Sequence, residues 1–196
     1  MIAIVDYGAG NLVSVKKAID WLGYPCAITA DPKDVRRADK VVLPGVGHFA
    51  STAALRTSGL QDAIADAIDR GVPFLGICVG MQWLFEGSEE ADEVPGLGAF
   101  KGRCERFPVQ VKSPHVGWNI LHLADGTKLF HGVAQSSFVY FTHSYHAPIT
   151  AWAAACTEYG GSFCAAVERD HVFGVQFHPE KSGDAGLRIL GNFCAL

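Results

Sequence analysis

The sequence predicts an α/β protein with an open, mostly parallel (mixed) sheet and helices on both faces. In the amino-terminal half, short apolar runs alternate with segments in which apolar residues recur at helical spacing. The apolar runs show little polar alternation, which is typical of strands covered on both faces. One of these runs passes through a Gly-x-Cys-x-Gly sequence into a helical pattern, which is the layout of a nucleophile elbow.

The predicted elements of this half follow one another with short connections. Strands are predicted at residues 1–5, 24–29, 40–43 and 73–78. Helices are predicted over 12–22 and 60–68 and from 79 to about 86, with a helical turn within 31–39. The Gly8-Ala9-Gly10 turn lacks the third glycine of a dinucleotide-binding fingerprint, because Val13 occupies its place. A tight β–α turn is therefore the favoured interpretation.

The carboxyl-terminal half is predicted to be richer in strands. A β-rich run covers 138–145, and the runs 152–156, 163–168 and 172–177 have the spacing of an antiparallel meander. Short strands at Val109, Val111 and 120–123 are expected to flank a turn at 114–119, and a helix is expected over 186–196. No repeat or linker divides the chain, so residues 1–196 are predicted to form a single domain.

Composition and charge disfavour several classes of protein. The net charge of −4 comes without a basic stripe, which argues against nucleic-acid binding. No apolar run approaches the ~18 residues of a membrane span, and the amino terminus lacks the charged region of a signal peptide. The six cysteines have no CxxC spacing, so neither a disulfide scaffold nor a zinc site is indicated. The expected location is the reducing cytoplasm, and no metal or cofactor is predicted.

Cys78 is the strongest candidate for a reactive residue. It lies between Gly76 and Gly80, and the crowded tip of an elbow requires neighbours without side chains. The amide of Val79 would open the following helix and direct a donor and the positive end of the helix dipole toward the thiol. A thiol in such a place ionises more easily, and the thiolate is the attacking species. A buried cysteine on an ordinary strand-to-helix turn is the competing interpretation.

His178 and Glu180 are the candidate partners of the cysteine. They belong to a His-Pro-Glu sequence at the end of a predicted strand, where open α/β sheets place their functional groups. A histidine that takes the thiol proton, held by a carboxylate on its far nitrogen, matches the nucleophile–base–orienter arrangement. The remaining histidines lack this context, and structural or surface roles are expected for them: His48, His115, His122, His131, His143, His146 and His171.

These motifs resemble a known family. Gly-Ile-Cys-Val-Gly-Met-Gln (76–82) together with His-Pro-Glu (178–180) is similar to the class I (triad) glutamine amidotransferases. Four further segments resemble one branch of that family, the glutaminase subunits of imidazole glycerol phosphate synthase, an enzyme of histidine biosynthesis. They are Pro-Gly-Val-Gly-His-Phe (44–49), Pro-His-Val-Gly-Trp-Asn (114–119), Tyr-Phe-Thr-His-Ser-Tyr (140–145) and His-Pro-Glu-Lys-Ser (178–182). The resemblance spans residues 2 to about 194, with Val79 where leucine is commoner.

The resemblance implies catalytic roles for the residues named above. Cys78 would attack the side-chain amide of glutamine, His178 would serve as acid and base, and Glu180 would orient the imidazole. The oxyanion of the tetrahedral intermediate would be met by the amide of Val79 and by one from the Gly45–Val46 segment. In the family this second donor is expected to point the wrong way until the partner binds, and Gly45 has the backbone freedom for such a change.

The resemblance also implies substrate contacts, a partner and an interface. The substrate contacts carried over are Gly47, Gln82, Glu90, Ser144 and Tyr145. The partner would be a (β/α)8 cyclase that uses the ammonia to make imidazole glycerol phosphate and aminoimidazole carboxamide ribotide. The residues expected near the interface and the ammonia passage are Asn11, Trp118, Tyr140 and Lys181. Core packing stays open for the two aromatic residues, and a solvated side chain stays open for the lysine.

Two other hypotheses remain compatible with the sequence. The chain could be the glutaminase subunit of a different synthase, with a partner that turns over another substrate. It could instead be an idle binding subunit, or a cysteine hydrolase acting on peptides or γ-glutamyl conjugates. The complete set of Cys78, His178 and Glu180 argues against an idle subunit, and the Gly-Trp-Asn segment argues against a free-standing hydrolase.

Overall fold

A computed structural model describes residues 1–196. The strands, numbered in chain order, are β1 (Ile2–Val5), β2 (Cys26–Thr29), β3 (Lys40–Gly45), β4 (Phe74–Cys78), β5 (Gly87–Ser88), β6 (Arg103–Arg106), β7 (His115–Ile120), β8 (His122–Leu123), β9 (Phe138–His143), β10 (Tyr145–His146), β11 (Ala153–Glu158), β12 (Ser162–Arg169) and β13 (Val172–Val175). The helices are α1 (Leu12–Trp21), α2 (Pro32–Arg37), α3 (Ala53–Thr57), α4 (Leu60–Asp69), α5 (Val79–Gln82) and α6 (Gly183–Ala195). Two short 3₁₀-helices cover Phe49–Thr52 and Pro179–Lys181.

The main sheet has eight strands in the order β2-β1-β3-β4-β13-β12-β11-β8. The first five strands pair in parallel, whereas β12, β11 and β8 continue the sheet in antiparallel fashion. All residues of β1, β4 and β13 are buried, which explains the apolar runs without polar alternation. The predicted mixed, mostly parallel sheet is confirmed, and so is the antiparallel meander of its last strands.

The handedness of the connections places helices on both faces of the sheet. The chain moves from β1 to β2 in one direction and then crosses back past β1 to β3 and on to β4. Because such crossovers are right-handed, α1 lies on one face and α2 and α4 lie on the other. Accordingly, α2 packs beside α4, while α1 packs beside α6. The main core lies between the sheet and these two groups of helices.

Two predicted elements differ from the structure. The helix after the elbow ends at Gln82 rather than near residue 86, because the next carbonyls accept hydrogen bonds from a returning loop. The amides of Leu97, Gly98 and Phe100 donate hydrogen bonds to the carbonyls of Trp83, Phe85 and Leu84, at 2.6, 3.0 and 3.0 Å respectively.

None of the helices is both long and apolar enough to cross a membrane.

The second difference concerns residues 109–123. Val109 and Val111 are not in strands, and Val109 is 94% exposed. The segment expected to be a turn is instead β7, which pairs along its length with β9. His115 at its start is buried and stacks on Phe141 and Tyr159, with ring centroids 4.9 and 4.0 Å apart. The prediction was wrong because the segment contains histidine, glycine and asparagine, which are common in loops. Its strand pairing and its burial depend on β9, which is distant in the chain.

Candidate active site

Cys78 occupies the sharp turn between β4 and α5. Its backbone has φ 55° and ψ −108°, a positive φ that costs a residue with a side chain about 1–3 kcal/mol. A Cβ on Gly80 would lie 1.9 Å from the carbonyl oxygen of Leu43, and one on Gly76 would lie 2.4 Å from the carbonyl oxygen of Gly80. The elbow and its need for two glycines are thereby confirmed.

Strand pairing brings the histidine to the cysteine. β13 lies beside β4 in parallel, with Val175 opposite Ile77, so both chains reach the same edge of the sheet. His178 and Glu180 follow there, with Nδ1 of the imidazole 3.0 Å from Oε1 of the carboxylate. The two side chains are 2% and 0% exposed. Nε2 of His178 is buried and makes no hydrogen bond within the protein, so it is the nitrogen left free for proton exchange.

The protonation of His178 depends on its two neighbours. Burial by itself lowers the pKa of an imidazole, because it disfavours the charged form. Hydrogen bonding and negative charge at the Cys78 sulfur and at the Glu180 carboxylate outweigh burial and raise the pKa of His178 to about 9. A protonated imidazole at neutral pH is therefore the electrostatic partner that a thiolate at position 78 requires.

A cavity of about 250 Å³ opens beside these groups. It is lined by Val46, Gly47, Cys78, Val79, Gln82, Glu90, Pro114, Thr142, His143, Ser144, Tyr145 and His178. All five residues expected to contact the substrate are in this lining, although they come from four separate parts of the chain. Glu90 is fixed in the wall, because its Oε2 accepts the amide of Phe49 at 2.7 Å.

The Gly45–Val46 segment lies directly beside the elbow. Gly45 is opposite Cys78 in the pairing of β3 with β4. A Cβ on Gly45 would lie 2.7 Å from both the hydroxyl of Tyr7 and Cβ of Val79, so only glycine fits between them. The backbone at position 45 is thus held against the elbow.

The four residues expected at the interface lie outside the cavity lining. Trp118 is 56% exposed on β7, which excludes core packing for this residue, and its ring lies 6.1 Å from the half-buried ring of Tyr140. The ammonium of exposed Lys181 is 5.8 Å from the centroid of the same tyrosine ring. Asn11 contacts the Glu180 carboxylate, since its Nδ2 donates to Oε1 at 3.3 Å.

The structure also shows contacts that no sequence motif indicated. Ser182 donates its hydroxyl to the carbonyl of His178 at 2.6 Å and accepts the amide of Tyr140 at 3.0 Å, which joins the histidine turn to β9. Gln176, two residues before His178, donates its side-chain amide to the sulfur of Cys78 at 3.7 Å. Tyr140 is 42 residues from Ser182 and Cys78 is 98 residues from Gln176, so only the folded arrangement brings these two pairs together.

The chain thus has an α/β sheet, a cysteine elbow and a buried histidine–carboxylate pair. Its residues 3–195 match one family model, described as "Glutamine amidotransferase class-I". The chain belongs to the class I glutamine amidotransferase family. A protein of Moorella thermoacetica, "Imidazole glycerol phosphate synthase subunit HisH", is 47% identical over 98% of this chain and 93% of its own length. The protein of that name from Methanocaldococcus jannaschii is 45% identical over the full length of both.

Solved structures support the same fold. One described as "Crystal structure of glutamine amidotransferase" covers 100% of both chains with a TM-score of 0.78 and 18% identity. "Structure of PurLQS from Thermotoga maritima" covers 98% of this chain and 96% of that chain with a TM-score of 0.76 and 19% identity. The resemblance inferred from the motifs is confirmed for the family, and the relatives confirm it for the branch.

Proposed function

We propose that this chain is the glutaminase subunit of imidazole glycerol phosphate synthase. It hydrolyses glutamine to glutamate and ammonia through a thioester on Cys78 and passes the ammonia to a (β/α)8 cyclase partner. The observation that carries the proposal is that Cys78, His178 and all five expected substrate residues line the same cavity. Because an oxidised thiol could not attack, the reducing cytoplasm is the proposed location.

The proposed chemistry begins with attack of the Cys78 sulfur on the side-chain carbonyl carbon of glutamine. The C–N bond breaks as Nε2 of His178 gives a proton to the nitrogen, so that ammonia leaves and a thioester remains. Neutral His178 then takes a proton from water, the hydroxide attacks the thioester, and glutamate leaves as the thiol is restored. Glu180 keeps Nδ1 protonated throughout, because its carboxylate accepts that hydrogen bond.

The charge that develops on the carbonyl oxygen requires donors close to the sulfur. We assign one to the amide of Val79 at the start of α5 and the other to the Gly45–Val46 segment. The pairing of Gly45 with Cys78 supports this assignment, because it brings the segment to the reacting atom. Loss of one such donor costs about 10²–10³ in rate, which is large enough for a partner to control activity through this segment.

Recognition of glutamine is assigned to the remaining lining residues. Glu90 would pair with the substrate ammonium, and its bond to the Phe49 amide holds the carboxylate in the wall for that purpose. Ser144 and Tyr145 would face the carboxylate end of glutamine, with Gln82 and Gly47 completing the wall. The cavity would thus bind the ammonium and the carboxylate of a free amino acid, two charges that a residue within a peptide chain lacks.

The proposed partner surface is the outer face of the β7–β9 pair. Val116, Trp118 and Phe138 project from it and are 57, 56 and 59% exposed. Exposed apolar side chains gathered on one small face mark an interaction site, and tryptophan is prominent among residues that dominate binding energies. Tyr140 and Lys181 adjoin this face, and Asn11 donates a hydrogen bond to Glu180. Ammonia is proposed to leave the site between these residues.

Titration of the chain with the cyclase subunit tests the proposal. In the presence of the cyclase substrate or a tight analogue, glutamate release should rise strongly and saturate as the partner is added. Trp118→Ala should move the midpoint to a partner concentration at least about 30-fold higher, because truncating such an anchor costs 2 kcal/mol or more.

Trp21→Ala is the matched control. Trp21 is 73% exposed but ends α1, at the edge of the sheet opposite the active site, so its titration should overlay that of the unaltered chain. Glutamate release that is equally fast without any partner would contradict a subunit that acts in complex. A Trp118→Ala midpoint equal to that of the Trp21 variant would remove the proposed interface.

The pH dependence of the reaction should report on Glu180. If His178 must be protonated for ammonia to leave, activity is present below its pKa and is lost as the pH rises through about 9. Glu180→Gln removes the carboxylate that favours the imidazolium, so the alkaline limb of kcat should move down by about one pH unit. The maximal rate should fall as well, because the imidazole loses its orienting partner.

The control for this experiment is Asp184→Asn, which removes a nearby carboxylate in the first turn of α6 that makes no hydrogen bond to His178. The measurement is kcat for glutamate release by the saturated complex across the alkaline range. An alkaline limb that stays in place in the Glu180 variant would mean that another group controls it.

A further inference from the structure

Gln176 has a contact that the triad does not explain. It lies between β13 and His178, its side chain is fully buried, and its Nε2 donates to the sulfur of Cys78 at 3.7 Å. We propose that Gln176 holds the Cys78 thiolate through this N–H and thereby favours the reactive form and its direction of attack. The inference rests on the proposed role of Cys78 as the nucleophile.

The orientation of the Gln176 amide follows from a backbone group. The carbonyl oxygen of Tyr145 can only accept hydrogen bonds, so the side-chain atom of Gln82 that lies 2.8 Å from it must be the nitrogen. The same nitrogen lies 3.1 Å from the Gln176 side chain, which must therefore present its oxygen. The Gln176 nitrogen is then the atom that faces the sulfur, and a reversed amide would place two donors against each other.

Two buried histidines complete this network. Nδ1 of His143 lies 2.8 Å from the Tyr145 carbonyl and must carry the proton, so its Nε2 accepts from Nδ1 of His115 at 3.3 Å. Burial lowers the pKa of His143 to about 3 and that of His115 to about 4. Both rings therefore stay neutral at ordinary pH, and His143 is a second, uncharged donor to the Tyr145 carbonyl.

Few titratable groups surround the sulfur. His178 is the titratable group next to it, with a pKa raised to about 9, and Glu180 acts through that imidazole. Burial raises the pKa of the Tyr7 hydroxyl, so that side chain stays neutral. Gln176 is thus a neutral donor beside the sulfur, and hydrogen bonds to a charged acceptor are stronger than those to a neutral one.

The test is the pH profile of iodoacetamide alkylation of Cys78 in the full-length chain, followed on the peptide that contains it. Gln176→Met keeps the length of the side chain but removes the donor, and its alkylation midpoint should move to higher pH by about one unit. Gln176→Glu keeps the shape but presents a carboxylate, and its midpoint should move at least as far. In the saturated complex, kcat for glutamate release should fall about tenfold while KM changes little.

Thr157→Val is the control for loss of a buried polar group. Its hydroxyl is fully buried in β11 and donates to the Ile120 carbonyl at 2.5 Å, away from the sulfur. This variant should lose stability but keep the alkylation profile of the unaltered chain. If Gln176→Met behaves in the same way, Gln176 is a packing residue and the inference is wrong. Full glutamate release by Cys78→Ala would instead show that the proposed function has failed.

Discussion

Replacement of Cys78 by alanine is expected to lower glutamine-dependent synthesis by the complex at least about 10⁴-fold, because no other group can form the thioester. Ammonia-dependent synthesis by the same complex should be unchanged, since the cyclase would then receive its nitrogen from solution. The measurement compares the two rates with glutamine and with an ammonium salt as the nitrogen source.

Cys194→Ala provides the control for this experiment. Cys194 is also a buried thiol, but it lies in α6 and outside the cavity. Its removal should leave both activities in place. Loss of both activities in the Cys78 variant would mean that Cys78 supports the structure, and retention of both would mean that it is not the nucleophile.

The second large effect is expected for Gly80→Ala. The added Cβ would lie 1.9 Å from the carbonyl oxygen of Leu43, which is backbone and cannot move aside without disturbing β3. We expect the free energy of unfolding to fall by about 3 kcal/mol or more, at the upper end of overpacking effects, with loss of glutamate release. Denaturant unfolding of the full-length chain measures the first quantity.

Gly191→Ala is the matched control for the added methyl group. Gly191 lies within α6, where a Cβ would be 3.7 Å from the Leu22 side chain in ordinary contact. Alanine in a helix interior is favoured over glycine by about 0.5–1 kcal/mol, so this variant should be as stable as the unaltered chain or more so. Equal stability of the two variants would show that the elbow tolerates a side chain at position 80.

The sequence by itself determined the features that depend on neighbouring residues. The elbow can be predicted from the sequence because the turn at Cys78 leaves no room for side chains at positions 76 and 80. Two glycines at a fixed spacing are therefore required. His178 and Glu180 are two residues apart, and a proline between them makes their pairing a local matter. The alternation of buried strands and amphipathic helices likewise follows from periodicity within short segments.

The tertiary structure decided what depends on the pairing of distant segments. Cys78 meets His178 only because β13 aligns with β4 in a register set by side chains buried on both faces of the sheet. The loop-like composition of residues 114–119 hides β7, which its partner β9 makes a strand. The amide of Gln176 is oriented by the Tyr145 carbonyl through Gln82. Buried polar groups must find partners wherever the fold places them, and no local pattern records those partners.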